Sequence, residues 1–216
     1  ALSIPDNSTA LSIPDNSTAL SIPDNSTISE IEQTIPNVAQ SWQFDTSALS
    51  TNAGDIELEQ GVNGTSLNLQ EGQYLTQNVT STNELSALTI SVWVKPDYSK
   101  GSPEFTVLSK ENAFILAINN NLSPQKIAKF SIFDGIKWTI VESKTEINEE
   151  WTHIAATFDS TSISIYVNGK LESIQAITGV PTLAVNGQLK ASNVDSISSD
   201  ADIVIGAYLN TKKGQF

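Results

Sequence analysis

LTISVWVK, residues Leu88–Lys95, alternates apolar and polar side chains at every second position, the period of a half-buried β-strand. Leu88, Ile90, Val92 and Val94 share one face, and Thr89, Ser91, Trp93 and Lys95 share the other. A later stretch, WTHIAATFDSTSISIYVN at Trp151–Asn168, repeats the pattern twice. Ile154, Ala156 and Phe158 form one apolar row, Asp159–Thr161 supplies a turn, and Ile163, Ile165 and Val167 form the next. Asn168–Gly169 then breaks the run with a pair that favours a tight hairpin. Strands with one apolar face need a second sheet to cover it. The pattern therefore predicts an all-β, two-sheet antiparallel sandwich.

The rest of the chain fits around these strands. Trp42 and Phe44 alternate in SWQFD, and Ile56 with Leu58 and Leu67 with Leu69 mark two short strands. Phe105–Ser109 and Ala113–Ile118 read as a hairpin about Lys110–Asn112. Phe130, Ile132 and Phe133 lead into Asp134–Gly135, a second tight-turn signal, with Trp138, Ile140 and Ile147 beyond it. Ser173–Asp200 reads as a strand and an extended loop, and Ile203 with Ile205 as the last strand. Most aromatic residues stand at strand positions where core packing explains them. Tyr98, in the turn-rich Pro96–Pro103 loop, is the one expected to be exposed and is the candidate ligand-binding residue.

Residues 1–38 form a separate region. ALSIPDNST occurs three times in succession, at Ala1–Thr9, Ala10–Thr18 and Ala19–Thr27, followed by the degenerate ISEIEQTIPNV. A period of nine would flip the apolar face of a continuous strand at each repeat, and each Pro removes a donor. The segment reads as an extended stalk, with a docked interaction strap as the alternative. Each repeat carries an N-glycosylation acceptor triplet, at Asn7, Asn16 and Asn25, and three more fall at Asn63, Asn78 and Asn121. Residues 39–216 make up the sandwich domain.

Composition narrows the function. Twenty-four acidic against 11 basic residues give a net charge of −13, a field that repels nucleic-acid backbones and suits cations. Cys is absent, which removes disulfides and thiol catalysis. No stretch approaches the roughly 18 apolar residues of a membrane span. The chain opens on Ala without a signal sequence, as expected of a processed product or an excerpt of something longer. These features together point to an extracellular or cell-surface protein, prokaryotic in style.

LTISVWVKPD, Val107–Lys110, EEWTHIAATFDSTSISIYVNGKLE, DIVIGAY and the terminal GQF resemble, in order and spacing, the laminin-G-like domains of the concanavalin A-like lectin/glucanase superfamily. The resemblance runs from about Gln40 to the last residue and implies a jelly roll. The family's closing strand has no counterpart before Phe216. Either the natural polypeptide continues, or strand addition from another copy of the chain fills the gap.

The superfamily includes glucanases, which present paired carboxyls on one strand. Asp55-Ile-Glu57-Leu-Glu59 is the nearest match, but it carries the wrong acids for that pattern. It reads as an edge strand with a solvated acidic face. His153 is the only histidine and sits inside an alternating strand, where it reads as structural. No catalytic residue is assigned, and the chain is read as a non-enzyme. Family resemblance implies a Ca²⁺ held by rim-loop oxygens, for which Asp195, Asp200, Asp202 and Asp45 are the candidates. The reading is a non-catalytic adhesion or recognition module for glycan or protein. A structural subunit of a filament or surface layer, joined through the repeats, and a carbohydrate-binding module of a larger enzyme are the alternatives.

Overall fold

A computed structural model describes residues 56–99, 101–177, 182–183, 189–190 and 196–209. The repeats, Trp42, Phe44, Asp45, Asp55 and Asp195 lie outside the described residues. Sixteen strands follow in order among the described residues. The first four are β1 (Glu57–Gln60), β2 (Thr65–Asn68), β3 (Leu75–Gln77) and β4 (Glu84–Leu85). Then come β5 (Leu88–Val94), β6 (Glu104–Lys110), β7 (Phe114–Asn119), β8 (Ile127–Phe133) and β9 (Trp138–Glu146). The next three are β10 (Thr152–Phe158), β11 (Ser162–Val167) and β12 (Lys170–Ala176). The last are β13 (Thr182–Leu183), β14 (Leu189–Lys190), β15 (Ile197–Ser198) and β16 (Ile203–Ile205).

Every ladder among the described residues is antiparallel. Four strands pair as β12-β11-β10-β5, and six as β3-β16-β6-β7-β8-β9. The two rows read from LTISVWVK and WTHIAATF lie side by side, with Ile90 opposite Ala156 and Val92 opposite Ile154. Ile163, Ile165 and Val167 extend the same inward face. The six-stranded sheet answers with Phe114, Leu116, Ile118, Phe130, Ile132 and Val141. All of these but the partly buried Val92 are buried, Leu116, Phe130, Ile132, Ile154 and Ile165 at 0% exposure. Interiors packed this tightly make truncation costly, about 3–5 kcal/mol for a buried Phe. The expected sandwich is thus present, with its core between the two sheets.

Turn chemistry sets the registers. Asn168 and Gly169 adopt φ of 50° and 78° between β11 and β12, the left-handed pair that a two-residue hairpin requires. Asp159 caps the β10–β11 turn by accepting from Thr161 N at 3.0 Å and Ser162 N at 2.7 Å. After β16, Gly206 has φ of 91°, and a Cβ there would lie 2.5 Å from Leu69 Cδ1 and 3.2 Å from Gln73 O. Only glycine meets both demands.

A bulge in β12 between the Tyr166–Leu171 and Ile165–Ser173 pairs leaves Glu172 unpaired. The carboxylate is buried and accepts from Lys144 N at 3.1 Å and Thr145 N at 2.9 Å. It fastens the free edge of β12 to that of β9, across the two sheets. One expectation is corrected here. Among the described residues β1 and β2 do not edge a main sheet but pair only with each other, and Leu58 is 41% exposed.

Candidate functional site

The outward face of the six-stranded sheet brings aromatic and charged groups together. Val141 is inward, so Trp138, Ile140 and Glu142 on β9 point outward. In register, Phe133 pairs with Trp138, Ser131 with Ile140, and Lys129 with Glu142. The Trp138 and Phe133 rings lie 5.2 Å apart at 40°. Tyr208 meets Trp138 edge-on, at 6.3 Å and 80°. Such tilted and edge-on pairs suit the ring quadrupoles. The hairpin below them is closed by hydrogen bonds to one carboxylate. Asp134 Oδ1 accepts from Ile136 N at 2.9 Å and Lys137 N at 2.8 Å, and Gly135 takes φ of 91°.

Tyr208 reaches this face through the turn at Gly206. Ser109 Oγ donates to Ala207 O at 2.6 Å, which lays the segment after β16 over the sheet. Four residues along β8 from Phe133, about 13 Å at 3.3 Å per residue, Lys129 forms an ion pair with Glu104. Glu104 lies opposite Asn119 in the β6–β7 ladder. Asn119 is 2% exposed, donates through Nδ2 to Pro124 O at 3.0 Å, and leaves Oδ1 without a partner among the described residues. Ile140 is 48% exposed between the aromatic and charged ends. Ile140 and Glu142 also line an open groove of about 600 Å³, with Ser173, Ile174 and Gln175 on its other side. The face therefore offers ring surfaces for C–H-rich ligands and ionic acceptors and donors for hydroxyls.

The other sheet presents a smaller patch. Trp93 is 48% exposed and opposes His153, ring centroids 5.2 Å apart at 57°. Ser91 Oγ lies 2.8 Å from His153 Nε2. Among the described residues no carboxylate hydrogen-bonds to this ring, so the Ser-His pair lacks the orienting acid of a hydrolytic triad.

The structure separates the residues singled out from sequence. Tyr98 was expected to be exposed; it is half buried, and its hydroxyl donates to Ile147 O at 2.6 Å. Phe105 packs at 5.8 Å and Lys126 Nζ lies 5.0 Å from the ring centre. Burial, then the charges of Glu149 and Glu146, push its pKa up to about 12. Asp200 and Asp202 are both exposed, and Asp202 Oδ1 accepts from Asn78 Nδ2 at 2.9 Å. Among the described residues no three His, Cys, Asp or Glu gather into a metal-ligand group. Asp45 and Asp195 lie outside the described residues, as do Asn7, Asn16 and Asn25. Asn63, Asn78 and Asn121 are all exposed, though the Asn78 amide nitrogen is held by Asp202. Glu57 and Glu59 share one donor, Asn68 Nδ2, at 3.4 and 2.7 Å, on the exposed β1–β2 hairpin.

Sequence reading explained most of the strand aromatics by core packing, singled out Tyr98 alone as exposed, and so missed this face. The signal was present. Trp138 shares its parity with Ile140, Glu142 and Lys144, and charged residues at that parity mark the outward row.

The laminin-G family described as the concanavalin A-like lectin/glucanases superfamily matches residues 69–193. This chain belongs to that family. The match begins later than Gln40, at the residue after β2, and takes in every strand of the two main sheets except β16. A search of curated proteins finds no match. Among solved structures, the receptor-binding domain of botulinum neurotoxin D is 17% identical, with a TM-score of 0.48 over 74% of this chain. Domain 4 of an extracellular arabinanase from Geobacillus stearothermophilus, solved with arabinotriose, is 17% identical, with a TM-score of 0.44 over 74% of this chain and 79% of that one. A carbohydrate-binding module from Bacillus subtilis is 10% identical, with a TM-score of 0.37 over 70% of this chain and 88% of that one. This laminin-G-like chain spans 38% of the length of the botulinum C/D mosaic receptor-binding domain and 40% of the serotype D domain. Among the described residues, no helix is long and apolar enough to cross a membrane.

Proposed function

We propose that the chain is a non-catalytic, extracellular glycan-binding module that uses the outward face of its six-stranded sheet. The observation that carries this reading is the Trp138–Phe133–Tyr208 cluster set on the same face as the Lys129–Glu104 pair. A sugar ring has apolar C–H faces and a hydroxyl rim. Aromatic rings serve the first and charged or amide groups the second. Ile140 and the groove beside it extend the surface so that an oligosaccharide can lie along β9. The net charge of −13 favours neutral sugars over acidic ones.

The test is calorimetric titration of the full chain with neutral oligosaccharides (xylo-, cello- and arabino-series). Binding to at least one series, lost in Trp138→Ala and kept in Trp93→Ala, supports the reading. No heat with any neutral series, or binding that depends on Trp93 instead of Trp138, overturns it.

A further inference from the structure

The resemblance to laminin-G-like domains implies a calcium ion, and the two described members of the expected acid set, Asp200 and Asp202, allow a test of fit. Both lie in the loop between β15 and β16, which runs past the end of β6. There the last residue of β6, Lys110, is turned inward. It sits in register between Phe114 and Ile203, both buried, and is itself 0% exposed.

A buried ammonium needs acceptors on every side, because moving an unpaired charge out of water is prohibitive. Lys110 Nζ donates to the carbonyl oxygen of Ala201 and, at 3.3 Å, to Asn83 Oδ1. Burial lowers its pKa, and the charges of Asp202 and Asp200 oppose that fall. The same loop is tied around the lysine from several directions. Ser199 Oγ donates to Glu111 O at 2.5 Å, and Ser199 N to Asn83 O at 2.9 Å. Ala201 N donates to Ser199 Oγ at 3.2 Å, and Asn78 Nδ2 to Asp202 Oδ1 at 2.9 Å.

A backbone carbonyl, an amide oxygen and nearby carboxylates are the donor types a calcium ion collects. Here a side-chain cation already holds the carbonyl and the amide oxygen, and a divalent ion in the same place would meet a positive charge. We propose that Lys110 is the resident cation of the Ser199–Asp202 loop: its ammonium organises this end of the sandwich as a bound metal ion would, and the loop takes no calcium. The loop is thereby joined to β6 and to the segment before β4 without any solute.

The experiment is hydrogen exchange on the full chain, following peptides that cover residues 197–205, together with thermal melting. Wild-type exchange across 197–205 is expected to be the same in calcium chloride and in EDTA. Lys110→Met keeps most of the stem and removes the charge. It is expected to lower the melting midpoint by about 10 °C and to speed exchange at 197–205 more than in β8 or β11. Should that variant fail to fold, Asp200→Asn/Asp202→Asn weakens the compensation from outside the core. It is expected to speed exchange in the same peptides by a smaller factor. Slower exchange of 197–205 on adding calcium to the wild type overturns the proposal. So does a Lys110→Met protein with wild-type exchange there, or, if it cannot be made, wild-type exchange in the double variant.

Discussion

Trp93 and Trp138 both stand at outward positions on edge strands, one in each sheet, yet their surroundings differ. Trp93 is 48% exposed and has, among the described residues, one ring neighbour, His153. Trp138 is half buried and is flanked by Phe133 and Tyr208. The difference arises outside the strands. Tyr208 reaches Trp138 only because Gly206 turns the chain and Ser109 holds Ala207 on the sheet. Strand period decides which way a side chain points; distant chain decides what it meets there. A pre-ordered ring cluster loses less entropy on binding than a lone ring does, which is why the Trp138 face is the one we propose as the ligand platform.

The largest expected effect breaks or confirms this asymmetry directly. Trp138→Ala should weaken binding of any sugar bound by the wild type by at least about tenfold, the effect of losing some 1.4 kcal/mol. It should also lower stability by about 2 kcal/mol, below the range for fully buried aromatics because the ring is only half covered. Trp93→Ala should leave binding unchanged and shift stability by only about 0.5 kcal/mol. Titration and melting of the two variants side by side measure both. Equal losses of affinity would mean that the two faces are equivalent. A smaller effect is expected from Glu104→Gln, which neutralises the partner of Lys129. About 1 kcal/mol of stability should be lost, with a weaker loss of affinity than at Trp138. Wild-type affinity in that variant would confine binding to the aromatic end.

These contrasts also explain what the sequence could and could not disclose. Leu88–Val94, Thr152–Phe158 and Ser162–Val167 were legible because strict alternation and turn residues agree there. Asn168–Gly169 and Asp134–Gly135 marked hairpins that exist. Tyr98 misled because loop position was taken for exposure, whereas its hydroxyl finds the Ile147 carbonyl 49 residues away. Lys110 could not be read at all. It closes a predicted hairpin, where a lysine is ordinarily solvated, and its acceptors come from the segments at 83 and 201. Groups satisfied by long-range backbone leave no periodic trace.

Tyr98 and Asp159 extend the comparison to pH, since one is half buried and the other sits exposed in a turn. The pKa of Tyr98 is raised, to about 12, so the folded chain keeps a proton that the unfolded chain gives up near pH 10. Its contribution is full below about pH 10 and is lost as pH climbs toward 12. Tyr98→Phe should therefore flatten the alkaline limb of a stability–pH curve, at a cost near 1 kcal/mol at neutral pH for the lost hydrogen bond.

Asp159 should show the smallest effect, with the opposite sign. Hydrogen bonds from the Thr161 hydroxyl, the Ser162 and Thr161 amides and the Ser162 hydroxyl hold its pKa below the usual carboxylate range, against a small opposing effect of burial. Its contribution is present above the unfolded value near 3.8 and fades as pH falls through the lower folded value. Asp159→Asn keeps an acceptor for the turn but cannot ionise, so it should flatten the acid limb by giving up the small contribution of the charged form at neutral pH, with stability in acid nearly unchanged. Urea unfolding between acid and neutral pH measures both limbs of that claim. An acid limb unchanged by the substitution would show that the Asp159 turn loosens in solution, because a carboxylate that loses its donors also loses its depressed pKa. The β10–β11 hairpin would then be held by its ladder and by the inward packing of Phe158 and Ile163 alone.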